Sequence, residues 1–278
     1  MELDEITCET RDGVTHLVLD RPEQLNAISS RPGGMRDQLV WALERAADDD
    51  AVGCVVLRGA GRSFSGGGDL SGNVRRERPV DDQRFLESVD RFHQRVRSSA
   101  LPVVAAVHGY CLGAALSLVA SCDLVVAAES ARFGYPEGRL GLVGASAVVP
   151  VVGRQWAKFL TLTGELLTAR QAAAIGLVLT VEPDGTLQER VHDLARRLAR
   201  MPREAVLLNR RAIDAVADAA GEAAGRVAAV AHDALTASMA GSATAPDGRS
   251  FRSILDSEGL DGLKAARQAQ YVEPWLGA

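Results

Sequence analysis

The sequence predicts an α/β protein whose strand–helix core runs to about residue 200 and is followed by a helical C-terminal region. Three observations support this. Short, nearly all-apolar runs at 52–57, Val103–Val107 and Leu124–Ala128 read as strands covered on both faces. Segments with apolar residues at helical spacing lie among the strands. After Pro183 the strand signals stop and Ala- and Arg-rich stretches follow one another.

In chain order, Val14–Leu19 reads as a strand that stops at Asp20-Arg21-Pro22, a turn signal. Residues 35–47 place Met35, Leu39, Leu43 and Ala46 on one helical face. A strand at 52–57 and a helix at 85–96 precede the two buried strands already named, and 177–181 reads as a further strand. Helices are expected at 186–200, 203–218 and Glu222–Met239, then a flexible loop over 241–248, and a last helix at 260–270. The division is 1–200 for the core and 201–278 for the helical region. No repeat or low-complexity tract is found.

Composition narrows the class. The chain has 278 residues, 47% hydrophobic and 24% charged, ample for a buried core. The net charge of -5, with both signs interspersed, disfavours a nucleic-acid binder. Cys8, Cys54, Cys111 and Cys122 form no CxxC pair and read as free, buried thiols in a reducing compartment. His16, His93, His192 and His232 make no metal-ligand cluster, so no metal is expected. His108, before a turn glycine, reads as structural, and no GxSxG marks a serine hydrolase. The acidic start is unlike a signal peptide, and no apolar run reaches the ~18 residues a membrane span needs. A soluble cytoplasmic protein is expected.

Three segments are candidates for chemistry. Phe64-Ser65-Gly66-Gly67-Gly68-Asp69-Leu70 follows a strand, and its glycines let backbone N–H groups approach a ligand. Asp69 there suits a helix start. The segment 108–118 ends a buried strand in a glycine-punctuated turn and opens a small apolar helix whose first N–H groups are unpaired. The third, 133–142, sets Glu137 in a turn between apolar residues Phe133, Leu140 and Leu142, with Val143 just after it. Read singly, these also suit a flexible turn, a tightly packed helix and a solvated loop carboxylate.

In order and spacing, the three segments together resemble the crotonase (enoyl-CoA hydratase/isomerase) superfamily. Residues 21–28, 101–109, Cys122-Asp123-Leu124 and Leu162-Thr163-Gly164 fit the same pattern. The resemblance implies a ββα spiral core with a C-terminal trimerisation region, hence a homotrimer or dimer of trimers. It implies an acyl-CoA substrate, with coenzyme A entering as part of that substrate and no separate cofactor. It assigns oxyanion donors to the amides of Gly68 and Ala114 and acid/base work to Glu137. Substrate and CoA contacts fall on Gln24, Ala27, Gly66, Gly68, Asp69, Leu70, Ser71, Ala114 and Ser117.

The chain departs from that pattern in informative ways. Ser117 stands where the family's hydratases carry a second glutamate, which leaves Glu137 as the sole expected carboxylate at the reacting carbon. One carboxylate suits proton shuttling from 3-enoyl to 2-enoyl thioesters. Hydration of 2-enoyl-CoA, hydrolysis, decarboxylation and non-catalytic acyl-CoA binding stay open. The early loop has Glu23, Gln24 and Leu25 in place of a basic residue, and the tail Tyr271-Val272-Glu273-Pro274-Trp275 is not basic. Phosphate contacts then fall to Arg75, Arg76 or Lys264. The stretch 141–146 is shorter than the family's glycine-rich border of the acyl pocket.

Overall fold

The computed structural model describes residues 1–70, 78–142, 144–239, 242–269 and 273–277. Expectations for Ser71, Arg75, Arg76 and Val143 lie outside the described residues.

The chain opens with β1 (Ile6–Arg11) and β2 (Val14–Leu19), an antiparallel hairpin closed by Asp12-Gly13. Both turn residues have positive φ, 52° and 75°, the demand of a tight two-residue hairpin turn that Asp-Gly meets. Helix α1 (Met35–Asp48) crosses over to β3 (Cys54–Gly59), and α2 (Pro79–Arg97) crosses to β4 (Val103–Val107). Next come β5 (Tyr110–Leu112), α3 (Ala114–Ala120), β6 (Leu124–Ala128) and β7 (Arg132–Gly134). After these follow α4 (Val149–Thr163), β8 (Leu166–Thr168), α5 (Ala169–Ala174) and β9 (Thr180–Glu182). Helices α6 (Leu187–Ala199), α7 (Arg203–Ala219), α8 (Glu222–Met239) and α9 (Phe251–Gln268) complete the chain.

Among the described residues the main sheet has the order β1-β2-β3-β4-β6-β9, parallel apart from the first hairpin, and β5-β7-β8 form a smaller second sheet. Helices cover both faces of the main sheet, which explains its apolar strands. On one face Val56, Ala106 and Val126 meet Leu187, Val191 and Ala195 of α6. On the other, Leu17, Val55 and Ala105 meet Leu39, Val96 and Leu118 of α1, α2 and α3. Leu118 is fully buried, so Leu118→Ala is expected to cost about 2–5 kcal/mol.

Helices α7 and α8 are fastened to the core by charge. Arg97 of α2 reaches Asp214 and Asp218, and Arg210 of α7 donates to Asp123 and to the Ser99 carbonyl. Helix α7 buries no residue. Leu208, Ile213 and Val216 on α7, with Val227, Leu235 and Met239 on α8, are exposed.

Several sequence expectations need correction. The strand expected at 177–181 forms only at Thr180–Glu182, because the amides of Leu177 and Val178 turn back to the Ala172 carbonyl. The last helix begins at Phe251, not 260: Ser250 caps it by accepting from the Ser253 amide, and Gly259, at φ 68°, kinks it. Helices α4 and α5, strand β1 and the small sheet were not foreseen. The thiols are not all buried, since Cys8 is exposed and Cys122 half-buried. Burial raises the Cys54 thiol to about 12, which keeps it inert. Among the described residues no helix is long and apolar enough to cross a membrane.

Candidate active site

The site begins with the glycine loop that follows β3. Phe64 and Ser65 donate their amides to the His108 and Tyr110 carbonyls, aligning the loop beside β5. On its other side Gly66 donates to Leu25, Ile28 to Gly67, and Asp69 to Ile28. Residues 21–28 hold this edge in place. Asn26, fully buried at φ 52°, donates its side-chain amide to the carbonyls of Ala60, Ser63 and Phe64. Arg21 donates from Nη1 to the Ala27 carbonyl and to Asp69 Oδ2, at 2.7 and 2.8 Å. Asp69 is therefore a clamp on the loop, and the helix start expected there runs into residues 71–77, outside the described residues.

Two glycines give the site its shape. Gly67 has φ +105°, and a Cβ there would stand 2.7 Å from the Leu112 carbonyl oxygen. With that approach allowed, Gly68 comes against Ala114, the first residue of α3: a Cβ on Gly68 would lie 3.8 Å from that of Ala114. Among the described residues neither the Gly68 nor the Ala114 N–H has an acceptor. Two unsatisfied amides thus lie side by side on the wall of one cavity.

Glu137 arrives from the small sheet. Strand β7 delivers Tyr135, and the 3₁₀ turn Pro136–Leu140 brings the carboxylate over Gly113. Burial raises the Glu137 carboxyl to about 7, against smaller lowering influences from a hydrogen bond of its own backbone and from Arg267. Ser117 lies on the next turn of α3. Its Oγ is 3.1 Å from the Tyr135 hydroxyl and donates to the Gly144 carbonyl at 3.3 Å. Tyr135 is fully buried, and burial raises its phenol well above the usual range.

The cavity has a volume of about 340 Å³ and runs between α2, α3, the 136–147 segment and α8. Gly66, Gly68, Asp69, Leu70, Ala114, Ser117 and Glu137 all line it. Gln24, which is exposed, and Ala27 do not. Lys264 is exposed and pairs with Asp261 at 3.1 Å, away from the wall. Four arginines that the sequence reading missed are on the wall: Arg36, Arg97, Arg226 and Arg267. Arg36 stacks 5.4 Å from the Phe85 ring, and Arg267 has a buried Nε without a hydrogen-bond partner. Tyr135 and Asp233 were missed as well. His108 holds the Gly61 carbonyl through Nε2 at 2.9 Å, in keeping with a structural part.

A family model described as enoyl-CoA hydratase/isomerase matches residues 9–241. The 1,2-epoxyphenylacetyl-CoA isomerase of Escherichia coli is 37% identical over 75% of this chain and 81% of its own. The 2,3-dehydroadipyl-CoA hydratase of the same organism is 35% identical over 71% and 77%. A solved enoyl-CoA hydratase/isomerase from Xanthobacter autotrophicus superposes with a TM-score of 0.89, at 29% identity, over 98% of this chain and 100% of that one.

Proposed function

Given that this chain belongs to the enoyl-CoA hydratase/isomerase family of the crotonase superfamily, we propose that it isomerises 3-enoyl-CoA thioesters to 2-enoyl-CoA thioesters through an enolate. In this reading the amides of Gly68 and Ala114 receive the thioester oxygen. Each such donor is typically worth ~2.7–4 kcal/mol in the transition state, because it is preorganised for charge that appears only there. Glu137 removes a proton from C2. Its pKa of about 7 suits a group that must both accept and release a proton near neutral pH. The dienolate is then reprotonated at C4, and the double bond moves into conjugation.

The observation that carries the isomerase reading is Ser117. At the place where family hydratases hold a second glutamate, its hydroxyl is engaged with Tyr135 and Gly144 and cannot serve as a carboxylate base. Coenzyme A comes with the substrate, and no further cofactor is invoked. The exposed apolar residues of α7 and α8 support assembly into a trimer or a dimer of trimers, and the working compartment is the cytoplasm. A second reading, hydration of 2-enoyl-CoA, draws support from the hydratase among the relatives. Rates of 3-enoyl isomerisation and 2-enoyl hydration, measured side by side on the wild type and Glu137→Gln, decide between them. Faster isomerisation, lost in the variant, is expected. Rapid hydration that survives in Glu137→Gln would overturn the reading.

A further inference from the structure

Arg21 lies off the cavity wall, yet it reaches the loop that forms that wall. Its Nη1 joins two chain segments at once, donating to the Ala27 carbonyl at 2.7 Å and to Asp69 Oδ2 at 2.8 Å. The Arg21 and Asp69 side chains are only 16% and 13% exposed, so this charge-assisted bond is sheltered from the screening that weakens a surface pair. Arg21 is itself held from behind. Its Nε lies 3.8 Å from Glu5 Oε1, and the other Glu5 oxygen accepts the Met35 amide at the start of α1. Its carbonyl accepts from the Asn26 amide at 2.9 Å, and its own amide donates to Asn26 Oδ1 at 3.0 Å.

What this staple crosses is a single bridge. Ile28 pairs in parallel with Gly68: the Ile28 amide donates to the Gly67 carbonyl at 2.8 Å, and the Ile28 carbonyl accepts from the Asp69 amide at 3.0 Å. In a parallel pairing the residue between the two bonded peptide groups turns its own N–H to the other side. Gly68 is that residue, so its N–H faces away from Ile28. Ala27 and Asp69, the groups Arg21 joins, sit one residue before Ile28 and one after Gly68. Gly66, Gly67 and Gly68 leave the loop wide backbone freedom. The direction of the Gly68 amide therefore depends on contacts from outside the loop.

Resting on the reading of the Gly68 and Ala114 amides as the seat of the thioester oxygen, we infer that Arg21 is a positioning residue for the reaction. By stapling Asp69 to Ala27 it holds the Gly68 N–H at the angle that the developing negative charge needs.

The test uses two readouts on the whole chain: C2 exchange of hexanoyl-CoA in deuterated water, and the isotope-edited infrared band of the thioester carbonyl in bound hexanoyl-CoA. With the wild type the band is expected below its position in water, because both amides donate to the oxygen. Arg21→Met is expected to lose most of that shift and to lower kcat about 10–100-fold, with KM little changed. Arg21→Lys, which keeps a charged donor, is expected to fall between and carries the same test should Arg21→Met not fold. Arg31→Met removes an arginine that also pairs with Glu5, at 3.0 Å, and is expected to leave band and kcat as in the wild type. An Arg21→Met variant that melts earlier but keeps the wild-type band and kcat would overturn the inference. So would a loss confined to KM, which would make Arg21 a ligand contact. A wild-type band no lower than in water would overturn the reading of the two amides, and the inference with it.

Discussion

A Cβ placed on Gly113 would stand 2.6 Å from Oε1 of Glu137. The acid/base candidate therefore rests directly on a glycine Cα, and the residue before the proposed donor Ala114 is also the floor under the carboxylate. Gly113 adopts φ 54° and ψ −120°, which side-chain-bearing residues seldom take. Its amide is spent on the Gly134 carbonyl at 2.9 Å, which ties α3 to the strand leading to Glu137.

Gly113→Ala is therefore expected to push the carboxylate aside and lower kcat by about 100-fold, the usual penalty for an ångström of misplacement. The backbone strain adds about 1–3 kcal/mol of lost stability. Gly68→Ala is the contrasting case. Its φ is not positive, and among the described residues the new methyl would meet only the Ala114 Cβ at 3.8 Å. It is expected to leave the melting temperature nearly unchanged and to alter KM more than kcat. Steady-state kinetics and thermal melts on the two variants check this pair.

Ala114→Pro removes one of the two proposed oxyanion donors at a position where proline is tolerated. Ala114 is the first residue of α3, so its N–H makes no helical bond, and the fixed φ of proline suits a first turn. A fall in kcat of about 10²–10³-fold is expected, with the fold retained. Ala114→Ser keeps the amide and is expected to cost less than tenfold. Equal losses from both variants, with circular dichroism unchanged, would remove Ala114 from the donor pair.

The pH profile follows from the Glu137 carboxyl at about 7. If its ionised form takes the C2 proton, kcat/KM, which follows the free enzyme, is expected to rise with pH and reach half its plateau near 7. Stability moves the other way. A carboxyl raised from 4.5 in the unfolded chain to about 7 in the folded one holds its proton better when folded. Its contribution is thus fully present below pH 4.5 and is lost as pH rises through about 7. Glu137→Gln is expected to be the more stable protein above pH 7, by at most about 3 kcal/mol, and to lose that advantage near pH 4.5. Urea denaturation at both pH values measures it.

Ser117→Ala withdraws the 3.1 Å partner of the buried Tyr135 hydroxyl. A loss of about 1–3 kcal/mol of stability is expected, since a buried hydroxyl loses its partner, with kcat within a few-fold of wild type. Tyr135→Phe removes the other member of the pair and is expected to be milder. A Ser117→Ala variant that loses activity as fully as Glu137→Gln would put Ser117 into the chemistry.

How much of this was legible in the sequence depends on where the signal is local. Val14–Leu19, Val103–Val107 and Leu124–Ala128 match their expected ends because helices cover both faces, so that the last two are wholly apolar and the first has only Thr15 and His16 as polar residues. Strands β5, β7 and β8 are three residues long, too short for any period to register. Helix α4 is broken by Gly153 at φ 74°, which interrupts its pattern. Gly68, Ala114 and Glu137 were legible through the family resemblance of their segments, and all three line one cavity. The clamp of Arg21 on Asp69, the seat of Glu137 on Gly113 and the placement of Asp233 depend on tertiary contacts between distant segments. No spacing along the chain announces them.

The most direct test of the central claim is C2 proton exchange on acyl-CoA thioesters in deuterated water, followed by mass spectrometry, with wild type and Glu137→Gln compared at pH 8. The expected result is deuterium at C2 with the wild type and none above background with Glu137→Gln, whose melting temperature is at least that of the wild type. Exchange at an undiminished rate in Glu137→Gln would contradict the account, because another group would then be taking the proton.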